Sequence, residues 1–149
     1  MQNFDGFHSI LAGDDGSPEA KRAVDTACSL AKHYSAKLIL LCVKTPPSAE
    51  QQAEGYGLEE HARSQSQLQG EVEAAAEAAR QLGVDIAFAV INGQTAAKEI
   101  EHYVEKHGVD LLVVGRRDVS RFRHWLEGST SETLLRHSSA SILIVHKGK

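Results

Sequence analysis

Five short apolar runs, separated by stretches of helical periodicity, constrain the fold of this chain more than any other feature. The runs are Phe7 to Gly13, Lys37 to Val43, Asp85 to Ile91, Asp110 to Gly115 and Ser141 to His146. They are rich in Ile, Leu and Val and mostly continuous rather than alternating. Strands covered on both faces read this way. Between them, apolar residues recur at three- and four-residue steps. Ala20, Ala23, Ala27, Leu30, Ala31 and Tyr34 mark one helix. Leu58, Ala62, Leu68, Val72, Ala75, Ala79 and Leu82 mark a second. Ala97, Ile100, Val104 and His107 mark a third, and Leu134 and Leu135 a short fourth. Strand and helix in alternation predict an α/β fold: an open five-stranded parallel sheet with helices on both faces.

The ends of these elements are signposted. Ser17-Pro18 sets a capping hydroxyl before a proline at the first helical position. Ser129 with Glu132 three residues on is a capping box. Gly83 and Gly108 each close a helix and are each followed by Val-Asp and a strand, a shared corner rather than an internal repeat. Every return from helix to strand is short, whereas the long connections, Lys44 to Gly57 and Arg116 to Glu127, both follow strands. Ligands of open parallel sheets sit beyond the carboxyl ends of the strands. Those two loops, with Gly13 to Ser17, are therefore expected to frame a site.

A length of 149 residues predicts a single domain, 1–149, with a full core. The net charge of −4 argues against a nucleic-acid or anionic-membrane binder. No apolar run reaches the ~20 residues of a membrane span, and the N-terminus lacks a signal-peptide pattern. Cys28 and Cys42 read as buried free thiols, which points to the cytoplasm.

The chemistry gathers at the expected ligand face. Leu111 to Gly115 is a strand ending at a glycine, a basic loop follows, and Gly128-Ser129-Thr130 then opens a helix. Such a glycine lets a ligand approach the backbone, and free N–H groups at a helix start hold phosphate oxygens. The loop between carries Arg116, Arg117, Arg121 and Arg123, four arginines in eight residues of an acidic chain. They either neutralise phosphates or pair with nearby carboxylates. Asp14-Asp15-Gly16-Ser17 ends the first strand. A carboxylate there binds a ribose hydroxyl or, with a divalent ion, phosphate oxygens; the alternative is a plain turn. A phospho-receiver domain would need an acceptor aspartate after the third strand, where this chain has Asn92. Zinc spacing, a Walker pattern, a dinucleotide fingerprint and a nucleophile elbow are all absent from the sequence. No nucleophile, base and orienter can be assembled, so the sequence points to binding and leaves catalysis open.

Several of these segments together resemble the universal stress protein (UspA-like) family. Ile10 to Ser17 looks like its first strand and Asp-Gly-Ser turn, Leu38 to Val43 like its second strand, and Asp110 to Gly115 like its fourth. Gly128-Ser129 stands at the distance required by the signature Gly-x2-Gly-x9-Gly-Ser/Thr, and Ser141 to Val145 resembles the closing strand. The resemblance implies the adenine nucleotide alpha hydrolase-like arrangement, with strand order 3-2-1-4-5. It implies a homodimer joined through the last strand, Ser141 to His146, acting in stress adaptation. It also implies binding of ATP or another adenine nucleotide, with Mg2+ or Mn2+ accompanying the phosphates. Adenine and ribose would fall to Gly13, Asp14, Asp15 and Val43. The phosphates would fall to Gly115, Gly128, Ser129 and Thr130, with Arg116 and Arg117 beside them. The chain departs from the signature at its second glycine, which is Asp118. Two other readings stand beside this one: an interaction protein that binds no nucleotide and docks through its basic loop, and a slow nucleotide hydrolase.

Overall fold

The computed structural model describes residues 3–16, 18–47, 49–115 and 138–146. Among them, five strands form one parallel sheet: β1 (Ser9–Gly13), β2 (Lys37–Lys44), β3 (Ile86–Asn92), β4 (Leu111–Gly115) and β5 (Ser141–Val145). Their order is β3-β2-β1-β4-β5. The helices are α1 (Pro18–Tyr34), α2 (Ala49–Ala53), α3 (Leu58–Gln81) and α4 (Ala96–His107). The expected strands, their order and three of the expected helices are present. The expected helix at Leu134 and Leu135, with its capping box at Ser129 and Glu132, lies outside the described residues, as does Ser17. The connection from Lys44 to Gly57, read as a loop, contains the short helix α2. Ala49 to Ala53 carries no buried residue, so no apolar periodicity announced it.

Continuous apolar strands are buried on both sides, and the core accordingly has two layers. On one face Ile10, Ala12, Leu38 and Leu40 meet Ala23, Ala27 and Ala31 of α1 and Val72, Ala76 and Ala79 of α3. On the other, Leu11, Ile39, Leu41, Leu112 and Val114 meet Ile100 and Val104 of α4. Alanine on the helix faces lets α1 and α3 lie close against the larger strand residues. No helix among the described residues is long and apolar enough to cross a membrane.

The short helix-to-strand returns share one geometry. Gly83 and Gly108 adopt left-handed φ of 84° and 63°. The next residue then bonds back into the helix, Val84 N–H to the Ala79 carbonyl at 3.2 Å and Val109 N–H to the Val104 carbonyl at 3.1 Å. These bonds satisfy carbonyls that the helix end would leave open. Ser35 does the same work without glycine, at φ 54°, with Ala36 N–H on the Ala31 carbonyl at 2.9 Å. At the entry to β4, the Asp110 carboxylate accepts the His8 and Ser9 N–H groups at 2.8 and 3.1 Å, which sets β4 beside the start of β1.

Candidate functional site

A strand's backbone groups turn alternately to its two neighbours, and β2 follows this alternation throughout. Lys37 N–H bonds the His8 carbonyl on the β1 side at 2.9 Å, and Leu38 N–H bonds the Asp85 carbonyl on the β3 side at 2.8 Å. Odd-numbered residues of β2 thus face β1 and even-numbered residues face β3. At the carboxyl end the two neighbours stop at different places. Lys44 still accepts from Gly93 N–H on the β3 side at 2.9 Å. On the β1 side the last bond is Asp14 N–H to the Leu41 carbonyl at 3.0 Å, after which β1 turns away. Val43 is the next odd position. Its N–H and carbonyl face the space that β1 has left, and Val43 lines the cleft that opens there.

That cleft has a volume of about 870 Å3, within the range usual for small-molecule sites. Its walls come from four places. The turn after β1 contributes Asp15 and Gly16, the end of β2 and the residues after it contribute Val43, Thr45 and Pro46, α2 contributes Glu50, and α3 contributes His61, Gln65, Leu68 and Glu71. The wall from α3 exists because that helix is longer than the strand it serves. Its 24 residues span about 36 Å, whereas the seven residues of β3 span roughly 23 Å. Only Val72, Ala76 and Ala79, in its second half, are buried. The first half therefore stands out beyond the carboxyl ends of the strands.

The turn after β1 packs directly against this overhang. Gly16 has φ 79°, and a Cβ there would lie 3.1 Å from Leu68 Cδ1 and 3.4 Å from Glu71 Oε2. Glycine supplies both the left-handed backbone and the clearance. The segment after β2 is strapped to α3 as well. His61 donates through Nε2 to the Thr45 carbonyl at 2.6 Å, and the Tyr56 and Ser64 hydroxyls are bonded at 2.6 Å. Lys44 Nζ donates to Gln69 Oε1 at 2.8 Å.

The two aspartates of the turn part company. Asp14 is buried and its Oδ1 accepts the Gly16 N–H at 2.9 Å. Burial pushes its pKa up, the Gly16 bond draws it down, and the neighbouring Asp15 and Glu71 add to the rise. Its place is inside the turn. Asp15 lines the cleft. Cys42 is also buried, and desolvation, with the nearby Asp14, raises its thiol to about 11. Such a thiol is poorly reactive, so neither Cys42 nor the half-buried Cys28, raised by burial as well, is a nucleophile candidate.

Of the residues expected to bind a ligand, Asp15 and Val43 come together in the cleft, with Asp14 holding the turn between β1 and α1. Gly13 and Gly115 end the neighbouring strands β1 and β4. Arg116, Arg117, Asp118, Gly128, Ser129 and Thr130 lie outside the described residues. Sequence reasoning missed the contribution of α3. Gln65 stands on the line of its apolar positions, between Ala62 and Leu68, and Glu71 lies at the margin of that line. The usable signals were this polar residue among apolar positions and the length of the helical pattern against the shortness of the strand after it.

The described walls are acidic. Asp15, Glu50 and Glu71 line the cleft, and its described lining includes no lysine or arginine. Carboxylates suit hydroxyl and amino donors and repel phosphate. Among the described residues no group of three or more His, Cys, Asp or Glu could hold a metal ion.

The profile of the universal stress protein family matches residues 6–146. The universal stress protein YxiE of Bacillus subtilis is 31% identical over 147 residues, covering 93% of this chain and 99% of its own. A universal stress protein of Methanocaldococcus jannaschii is 26% identical over 144 residues, covering 96% and 84%. Among solved structures, a universal stress protein in complex with cAMP superposes with a TM-score of 0.67 at 28% identity, covering 96% of this chain and 99% of that one.

Proposed function

This chain belongs to the universal stress protein family, and from that premise we propose that it binds an adenine nucleotide in the cleft between β1 and β2. The observation that carries the reading is the peptide edge of Val43. One donor and one acceptor, side by side and clear of the sheet ladder, match the N1 acceptor and 6-amino donor along one edge of adenine. Asp15 is suited to accept from ribose hydroxyls. The relative solved with cAMP supports an adenine nucleotide as the ligand class.

In this reading the phosphates point away from Asp15 and Glu71 and toward the end of β4. There the sequence supplies Gly115, Arg116 and Arg117, and then Gly128, Ser129 and Thr130. Mg2+ or Mn2+ would enter with a triphosphate and add positive charge between its oxygens. The protein would act in stress adaptation, in the cytoplasm, as a homodimer. The described residues lend support in two places: Cys28 and Cys42 are free thiols, and the edge strand β5 exposes Ile142, Leu143 and Ile144.

Mass spectrometry of the denatured, purified protein would identify any nucleotide carried through purification. Calorimetric titration with ATP, ADP and AMP, with and without Mg2+, then measures affinity. The proposal predicts saturable binding of at least one adenine nucleotide. No binding of any at millimolar concentration overturns it.

A further inference from the structure

One polar atom in the cleft wall lacks a partner. Gln65, on the overhanging half of α3, lines the cleft with Val43, Thr45 and Leu68. Its Oε1 is buried and accepts no hydrogen bond, and it is the one such side-chain atom among the described residues. An orphaned buried acceptor is costly and calls for an explanation. Neighbouring polar side chains on this helix are already engaged: Ser64 with Tyr56, and Gln69 with Lys44. Packing of the helix on the sheet does not require an amide at position 65 either: the neighbouring contact with the core is made by the apolar Leu68, and the fully buried residues of α3 begin at Val72.

We propose that Gln65 reads the base of the bound nucleotide, its side-chain carbonyl accepting a hydrogen of the adenine 6-amino group. This deepens the adenine-nucleotide reading and rests on it. The 6-amino group carries two hydrogens. The Val43 carbonyl, fixed by the sheet, can take one, which leaves the second for an acceptor of the facing wall. Gln65 Oε1 is an acceptor without a donor in the same wall. The terminal torsion of glutamine is soft, so the carbonyl turns toward such a donor at small cost. Binding then satisfies both groups at once. A hypoxanthine or guanine base presents a 6-oxo group instead. That oxygen meets the fixed Val43 carbonyl, acceptor against acceptor, and gives Gln65 Oε1 nothing to accept.

The test compares AMP with IMP, which differ at this position of the base, by calorimetric titration of the wild-type protein, Gln65→Leu and Gln65→Glu. In the wild type, AMP binds more tightly than IMP. Gln65→Leu removes the acceptor and the orphan together. It lowers the AMP-to-IMP affinity ratio by about five- to tenfold, the worth of one neutral hydrogen bond at such a site. It also raises the melting temperature of the ligand-free protein, a gain that a purely structural glutamine would not give. Gln65→Glu keeps an acceptor and keeps the preference for AMP. An unchanged ratio in Gln65→Leu, or loss of the preference in Gln65→Glu, overturns the assignment of Gln65 while leaving adenine-nucleotide binding intact. A wild-type protein that binds neither nucleotide overturns the functional reading itself.

Discussion

Asp14 and Asp15 are adjacent in sequence and differ in role because the turn gives them different surroundings. Asp14 is buried on the Gly16 N–H, and burial raises its pKa in the folded state. The folded protein then holds this proton more tightly than the unfolded chain. Its contribution to stability is fully present below the usual aspartate value and is lost as pH rises through the raised one. Asp14→Asn keeps an acceptor for the Gly16 N–H and cannot ionise. Thermal melts across that acidic window should show the variant gaining on the wild type as pH rises. A stability difference independent of pH would contradict this assignment. In the proposed reading Asp118 stands in place of the second signature glycine, among the residues that would meet the phosphates. A carboxylate ~4 Å from a phosphate costs about 1 kcal/mol in water and more where solvent is excluded. Asp118→Gly should therefore tighten ATP several-fold and change adenosine affinity little. Equal or weaker ATP binding would show that the carboxylate does not face the phosphates.

At the scale of elements, the cleft follows from two mismatches of length. β1 stops before β2 does, which opens the peptide edge of Val43, and α3 overruns β3, which supplies the facing wall. The first mismatch was partly legible. Apolar runs located all five strands, and glycine after β1 with a long connection after β2 located the face where the cleft opens. The shared Gly-Val-Asp corners were readable because a left-handed backbone at a helix end favours glycine. The second mismatch was not read, because Leu58, Ala62 and Leu68 mark the overhang as helix without marking where the strands beneath it end. Gln65 and Glu71 look like ordinary solvated residues until the strand ends are placed beneath them. Helix α2 was illegible for a similar reason, having no buried face. The packing of the β1 turn on the overhang gives a prediction at this scale. Gly16→Val forces a branched side chain into a left-handed backbone and against Leu68. It should cost about 1–2 kcal/mol of stability from the backbone alone and displace α3 enough to weaken nucleotide binding. Wild-type melting and affinity in this variant would show that the contact does not shape the cleft.

At the scale of the whole molecule, the sheet has two unlike ends. β3, at one edge, packs under α3, whereas β5, at the other, exposes Ile142 and Ile144 at 40% and 42%. An apolar edge strand of this kind is a pairing surface unless it is covered. The proposed homodimer would cover it with a second copy. Ile142→Lys with Ile144→Lys should give a monomer by sedimentation velocity, against a dimer for the wild type; a wild-type monomer would contradict the dimer. Nucleotide binding should survive the double change, because the cleft lies at β1 and β2, on the other side of β4. The central claim is that adenine docks on the peptide edge of Val43, and amide hydrogen exchange followed by NMR reads that edge directly. In the free protein the Val43 amide should exchange quickly although it lies within a strand, while Cys42 and Lys44, which face β3, are protected. Saturating AMP should slow Val43 exchange and leave its neighbours as they were. AMP that binds without protecting Val43 would contradict the account.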